Sequence, residues 1–221
     1  MRLRKDGEAT RRRILDAALE VFGTKGYHDA THAEICAQAG VNTSAVNYHF
    51  TSKENLYRAT WEHAAKAVEC LYPLDGGLGP DASPADRLRA QVRAILDRVM
   101  DPRLGQIHNL RMMEMANPTG FLHDVFASWL NEHRRLTLSN LRDLLGAQAT
   151  QEDLELCELS VISQCRAVHK TGPPPKGSQG TRRPSLPWRF NAADSDRLAD
   201  HITSFSLAGI AAVRQQIEAR S

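Results

Sequence analysis

The chain has 221 residues, 42% of them hydrophobic and 24% charged, which fits one large or two small globular domains with a substantial core. Its net charge of +2 is too small to announce a nucleic-acid partner, so any such contact must come from local placement of charge. No apolar run approaches membrane-spanning length, and the basic N-terminus lacks the apolar segment of a signal peptide, so a cytoplasmic protein with no membrane partner is expected.

Residues 1–13 carry Arg2, Arg4, Lys5, Arg11, Arg12 and Arg13 against Asp6 and Glu8. Such an arm can follow phosphates or enter a minor groove, and a solvated terminus would look the same. Ile14, Leu15, Ala18, Leu19 and Phe22 then form a helical stripe that ends at Lys25-Gly26. Thr31 with Glu34 three residues on is a capping box, opening a short helix to Ala39 that stops at Gly40. Asn42 or Thr43 caps a third helix running to about His49. Thr51 and Glu54 suggest a further capping box and a fourth helix to about Leu71.

Residues 73–84 are a Pro/Gly-rich loop. Leu88, Val92, Ile95 or Leu96, and Val99 mark a fifth helix, broken at Asp101-Pro102, and a sixth covers roughly Leu104 to Ala116. After the turn at Asn117–Gly120 comes a long helix with Leu122, Phe126, Trp129, Leu136, Leu141 and Leu144 expected inside, ending at Gly146. Thr150 caps the next, with Leu154, Cys157, Val161, Cys165 and Val168 at helical spacing. Residues 171–190, with five prolines, cannot be a regular helix, and a last helix runs from about Ala193 to Glu218. No segment reads as a strand, so the fold class is all-α: an N-terminal three-helix unit and a C-terminal helical bundle.

The four cysteines, Cys36, Cys70, Cys157 and Cys165, form no C-x-x-C pair and no metal-ligand spacing, and read as reduced, mostly buried thiols. A link between Cys157 or Cys165 and a symmetry mate is conceivable. The helices near 151–169 and 193–218 carry apolar residues on two faces. In the last helix, Leu198, Ile202, Phe205 and Gly209 form one stripe, and Leu207, Ile210, Val213 and Ile217 a neighbouring one. One stripe suffices for a surface helix, so the second suggests either a central core helix or a homodimer interface.

Residues 31–53 carry the functional signal. Gly40 supplies the turn between two short helices, Cys36 is the small residue where they cross, and Ile35, Ala39, Val41 and Val46 fix their angle. Phe50 is expected to pack back onto Phe22 and the first helix. This is a helix-turn-helix. Thr43, Ser44 and Asn47 fall on the exposed early part of the third helix, where side chains reach base edges, beside Asn42 in the turn. Tyr48, His49 and Lys53 on the flank, and Thr31 at a helix N-terminus, suit phosphate oxygens. A core role for Tyr48 or His49 is the alternative. The body is less legible. His108, Arg111, Met112 and Met115 on the sixth helix, with Phe126 and Trp129 on the seventh, are the candidate lining of an effector pocket, although an ordinary core would have the same composition.

Enzyme motifs are missing: no H-E-x-x-H, G-x-S-x-G, P-loop or dinucleotide fingerprint is present. No catalytic residue, metal or cofactor is therefore expected.

Residues 10–57 resemble the N-terminal domain of TetR-family transcriptional regulators. The matching residues are Ile14-Leu15-Asp16-Ala17-Ala18, Phe22, Gly26-Tyr27, Thr31, Ile35, Ala39-Gly40-Val41, Tyr48-His49-Phe50 and Ser52-Lys53-Glu54-Asn55-Leu56. The resemblance implies base contacts from the third helix and phosphate contacts at Tyr48 and Lys53. It also implies an all-helical body that dimerises through its last two long helices and binds an effector. The body is similar in layout to a CerR-like subgroup, on the Asn42-containing turn and the Pro/Arg/Trp segment before the last helix. Asn47 departs from the usual aromatic or apolar residue, Cys36 from the usual alanine, and the 171–190 loop from the general pattern. The expectation is a DNA-binding domain at 1–52 and an effector-binding and dimerisation domain at 53–221. The whole would be a homodimeric regulator, a repressor more than an activator, released from a palindromic operator by an apolar or amphipathic small molecule. The competing expectation is a helical protein-interaction module without sequence-specific DNA binding.

Overall fold

The computed structural model describes residues 2–79, 81–168 and 190–220, with side chains from residue 6 onward. The described residues hold helices and turns and no strand. In chain order the helices are α1 (Arg2–Asp29), α2 (His32–Ala39), α3 (Thr43–Phe50), α4 (Lys53–Leu71), α5 (Pro84–Met100), α6 (Gly105–Ala116), α7 (His123–Leu145), α8 (Gln151–Ala167) and α9 (Ser195–Arg220). None of them is long and apolar enough to cross a membrane.

The chain divides into two compact units. The first holds Met1–Val68 and Arg103–Ser128, and the second holds Glu69–Pro102 with the described residues from Trp129 to 168 and 190 to 220. The unit that contains α1–α3 therefore continues past residue 52 through most of α4 and takes in α6.

In the first unit, the α1 stripe is buried as its spacing predicts, with Ile14, Leu15, Ala18 and Phe22 all within 1% of full burial. The helix extends about three turns further towards the N-terminus than that stripe, so the basic arm is a continuation of α1. At the other end Gly26 kinks the chain (φ 78°, ψ 177°), and one more turn follows to Asp29. The α1–α6 crossing is close at Gly23: a Cβ there would lie 2.7 Å from the Gln106 carbonyl oxygen, so any side chain would force the helices apart.

Phe22 does not pair with Phe50. Its ring partners are Tyr27 and Tyr57, at centroid distances of 6.3 and 4.9 Å. Tyr57 reaches on to a buried carboxylate, donating its hydroxyl to Glu114 at 3.0 Å. Burial, and then the charge of Glu114, push the Tyr57 phenol well above its ordinary range. The same carboxylate accepts the Thr119 N–H at 3.0 Å and ties down the turn after α6. Arg58 makes a second clamp, donating to both Asp124 oxygens at 2.6 and 2.8 Å and to the Phe121 carbonyl at 2.7 Å. These polar ties hold α4 to the α6–α7 corner within the unit.

The second unit packs α5, α8 and α9 around Leu88, Val92, Leu96, Leu154, Cys157, Val161, Cys165, Leu198, Ile202, Ile210 and Ile217. On α7 the inner face is shared between apolar and polar residues: Leu141 is buried as expected, with Leu145, and Leu136 and Leu144 partly so, but Thr137 and Asn140 are buried among them. The two polar residues are satisfied by α5. Gln91 donates to the Thr137 hydroxyl at 2.6 Å, and Asn140 donates to the Gln91 carbonyl at 3.3 Å and accepts from Arg87 at 3.0 Å. A buried polar network replaces part of the apolar stripe, which hydrophobic spacing alone does not reveal.

Candidate nucleic-acid interface

The α2–α3 hairpin is fixed by local hydrogen bonds that the sequence dictates. Thr31 and Glu34 form the full capping box at the start of α2: the hydroxyl accepts the Glu34 N–H at 3.2 Å, and a Glu34 oxygen accepts the Thr31 N–H at 3.1 Å. Glu34 also pairs with Lys25. Lys25 and then the Thr31 hydroxyl hold its carboxyl below the usual range. Gly40 ends α2 in the left-handed conformation (φ 64°, ψ 41°), and its N–H and that of Val41 close the turn onto the Ala37 and Cys36 carbonyls. Asn42 caps α3, its side-chain oxygen accepting the Ala45 N–H at 2.9 Å. Behind α3 lie Ile35, Cys36, Ala39, Val46 and Phe50, all buried.

What remains outside is Thr43, Ser44, Asn47 and Tyr48, all exposed, with Tyr48 at 85%. They share one side of an eight-residue helix. Residues i, i+3 and i+4 face the same way, so Ser44, Asn47 and Tyr48 form one continuous polar strip. The His49 imidazole is half-buried between the rings of its neighbours, at 5.2 Å from Tyr48 and 6.0 Å from Phe50.

Several expected contact residues prove to have structural duties. The Thr31 hydroxyl is engaged by Glu34, so an anion at this corner would be met by backbone N–H groups. The acceptor of Asn42 is spent on the cap, leaving its amide N–H groups. The Lys53 ammonium lies over the Tyr27 ring at 4.6 Å and donates to the His28 carbonyl at 3.3 Å. That seat orients Lys53 and leaves donors to spare.

The turn from α3 to α4 differs from the expected capping box. Ser52, not Thr51, caps α4, its hydroxyl accepting the Asn55 N–H at 3.2 Å. Thr51 instead takes φ 62°, ψ −43°, the one non-glycine residue with positive φ among those described. For a β-branched residue that region is strained. The strain sits between the helix that would read bases and the helix that carries Lys53.

Of the candidate effector residues, His108 is buried on α6 and Phe126 stacks edge-on against Trp61 at 5.4 Å. Arg111 is half-buried, whereas Met112 and Met115 are 42% and 58% exposed. Trp129 belongs to the second unit, where its ring lies tilted against that of His133, 3.9 Å between centroids. There the His133 Nδ1–H donates to the Trp129 carbonyl at 2.7 Å, and Nε2 accepts from Arg98 at 2.7 Å. Arg98 also donates to Glu69 at 2.8 Å and to the Tyr72 carbonyl at 2.8 and 2.5 Å. Burial lowers the affinity of both Arg98 and His133 for their protons, and Glu69 opposes that for each. Sequence reasoning missed this cluster because its members are scattered over three helices and the Tyr72 turn.

The two-faced helices do present two faces, divided differently from the expected stripes. Leu198, Ile202, Ile210 and Ile217 belong to the core, with Leu207 and Val213 packed against it. Phe205 stands out at 65% exposure, beside exposed Ala208, Gly209 and Ala212, and on α8 Leu156 and Leu159 are 57% and 63% exposed. Cys157 and Cys165 are buried in the protomer's own core, so neither thiol is presented to a symmetry mate, and burial pushes the Cys165 thiol up to about 12. Among the described residues no group of three His, Cys, Asp or Glu is placed to hold a metal ion.

A three-helix head with a turn at a left-handed glycine, an exposed polar strip on the third helix and a helical body define a helix-turn-helix regulator class. Residues 14–60 match the family model of bacterial regulatory proteins of the TetR family, and residues 84–210 match the C-terminal domain of the HTH-type transcriptional dual regulator CecR. The chain belongs to the TetR family and carries a CecR-type C-terminal domain. It is similar to the HTH-type transcriptional regulator SrpR of Pseudomonas putida, 34% identical over 119 residues, which are 54% of this chain and 53% of that one. The match thus spans about half of that relative's length. A TetR-like regulator from Rhodococcus sp. RHA1 superposes with a TM-score of 0.63 at 24% identity, over 91% of this chain and 96% of that one. AibR, solved with isovaleryl coenzyme A and operator DNA, superposes with a TM-score of 0.64 at 19% identity, over 89% and 97%.

Proposed function

We propose that the protein is a one-component, homodimeric transcriptional regulator that binds a palindromic operator and is released from it by a small apolar or amphipathic effector. The observation that carries the reading is the polar strip of Ser44, Asn47 and Tyr48, backed by a fully buried apolar face. Such a helix has nothing left to pack against and the right groups for a major groove. In this reading residues 1–52 bind DNA and residues 53–221 dimerise and sense. Thr43, Ser44 and Asn47 read base edges. Tyr48, His49, Lys53, the Asn42 amide and the N–H groups of the first turn of α2, just after Thr31, hold phosphates. Repression is favoured over activation because release by a ligand needs no contact with the transcription machinery.

The dimer face is the exposed part of α8 and α9, Leu156, Leu159 and Phe205. Leucine and phenylalanine left at more than half exposure on adjacent helices lose water when a second copy covers them. The effector would act through α6, where His108 and Arg111 offer polar groups and Met112 and Met115 an adaptable apolar side. AibR was solved with both an acyl coenzyme A and operator DNA, which supports a fold able to hold two such ligands.

Selection of bound duplexes from a random pool tests the reading. An inverted repeat whose half-sites lie about one helical turn apart, bound with a steep salt dependence, is the expected result. Salt-sensitive binding without sequence preference, or none, would replace it with the protein-docking alternative. Light scattering with Phe205→Glu tests the dimer, whose mass should halve while its helical signal stays. A wild-type chain that is monomeric at micromolar concentration yet binds a palindrome tightly would sink the dimer.

A further inference from the structure

The Arg11 guanidinium lies over the ring of Phe50, 5.3 Å from its centroid. Arg11 extends the buried α1 stripe by one turn, being three residues before Ile14 and four before Leu15, which places it on the face that meets α3. Phe50 is the last residue of α3. A cation from α1 therefore sits at the C-terminal end of the helix that carries the base-reading strip. Stacking uses the flat face of a guanidinium and leaves its N–H groups at the rim. Among the described residues no carboxylate pairs with Arg11, nor with its exposed neighbours Arg12 and Arg13.

We propose that Arg11, seated on Phe50, is a DNA-backbone contact that holds a phosphodiester at the C-terminal end of α3. This rests on the DNA-binding reading above. Eight residues of helix are about 12 Å long, and the major groove is about 12 Å wide. A helix of this length set across the groove brings each of its ends to a phosphate strand. The N-terminal end of α3 meets its strand with free N–H groups and a favourable dipole. The C-terminal end carries carbonyls and the negative end of the dipole, so it repels phosphate unless cations are supplied there. Lys53 is one such cation, but the Tyr27 ring and the His28 carbonyl share its donors. Arg11 is the other, held in place with its donors uncommitted. The plainer role for Arg11 is to cover Phe50 and offset the α3 dipole, which would affect stability alone.

Charge and cover can be separated. Arg11→Leu keeps an apolar cover on Phe50 without charge, Arg11→Lys keeps the charge, and Arg11→Gln is a neutral polar control should the leucine variant fail to fold. Each is made in the full chain, and thermal unfolding and helical signal are recorded alongside binding. The reading is the slope of log affinity against log salt, on the duplex selected by the wild type and on an unrelated duplex. Arg11→Leu and Arg11→Gln should lower the slope by about 0.9 per protomer on both duplexes, as the loss of one phosphate contact requires, and Arg11→Lys should restore it. The base preference should stay as in the wild type. A wild-type slope in the neutral variants, or a slope loss that lysine fails to restore, overturns the proposal. If the wild type itself shows no salt-dependent DNA binding, the DNA-binding reading fails and takes this inference with it. A normal wild type with unaffected neutral variants removes Arg11 alone.

Discussion

The head and the second unit handle polar residues in opposite ways. In α2 and α3, side chains that tie the backbone, Thr31, Glu34 and Asn42, sit at helix ends, and the strip between those ends is left unsatisfied and exposed. In the second unit the polar groups turn inward and saturate one another, as Arg98, Glu69 and His133 do, or Gln91 with Thr137 and Asn140. Beside its exposed charged side chains that unit also leaves large apolar ones in the open, Leu156, Leu159 and Phe205. The difference teaches where partners belong. An unpaired polar strip on a rigid short helix invites a polar ligand with many acceptors. An unpaired apolar face on long helices invites another apolar face.

The largest test of that contrast is a pair of charges on α9. Ile210 is 4% exposed in the core, and Phe205 is 65% exposed, though five residues apart on one helix. Ile210→Glu buries an unpaired charge and should cost more than about 4 kcal/mol, enough to unfold the second unit. Phe205→Glu should leave the helical signal intact and halve the mass. Circular dichroism and light scattering on the two variants decide it. Equal unfolding by both would mean that Phe205 is part of the core after all, and two folded dimers would mean that neither face is what its burial says.

A smaller effect is expected on the head. Asn47→Ala should relax one symmetric pair of operator positions, at about 1–3 kcal/mol of discrimination for a good base contact. Repeating the random-pool selection with the variant checks this, and an identical motif would show that Asn47 reads no base. Lys53→Ala should act differently, weakening binding to every sequence and lowering the log–log salt slope by about one unit per protomer. Because Lys53 also rests on Tyr27, Lys53→Met is the useful companion: it keeps apolar contact with the ring and should lose the same slope.

The two regions also differed in how much could be read from sequence. In the head, obligatory positions are close in the chain: Gly40, the cap at Asn42 and the apolar set from Ile35 to Val46 are separated by single turns, so spacing determines geometry. The differences there are local. Phe50 meets the first helix as expected, with Arg11 over its ring, and Ser52 took the cap assigned to Thr51. In the second unit the deciding contacts join residues tens of positions apart. Gln91 lies 46 residues from Thr137, and no periodicity marks either as interior. On α9 the sequence shows two apolar stripes but not which one the protomer keeps, since Leu198, Ile202 and Phe205 fall at helical spacing and only the last is turned out. The arginine- and tryptophan-bearing loop at 171–190 lies outside the described residues, save Phe190 at its end.

The smallest expected effect concerns acid. His133 is held neutral by burial, donating through Nδ1 to the Trp129 carbonyl and accepting at Nε2 from Arg98. A second proton would fall on Nε2, facing the guanidinium that now donates to it. The facing charged groups are Arg98, which opposes that proton, and Glu69 and Glu132, which favour it, and burial with Arg98 prevails. The folded pKa is thus below the unfolded value of about 6.5. The unfolded chain therefore binds a proton more readily than the folded one, so stability rises with pH through this range. The contribution is fully present above about pH 6.5 and is lost as pH falls through the lower folded value. Paired carboxylates such as Asp124, held low chiefly by its hydrogen bonds with Arg58, lose their contribution only at much lower pH. His133→Gln retains an acceptor for Arg98 and cannot take up the proton. Melting temperatures measured at neutral and mildly acidic pH should fall less in this variant than in the wild type. If the two fall in parallel, His133 either titrates normally or keeps its neutral form in the unfolded chain as well.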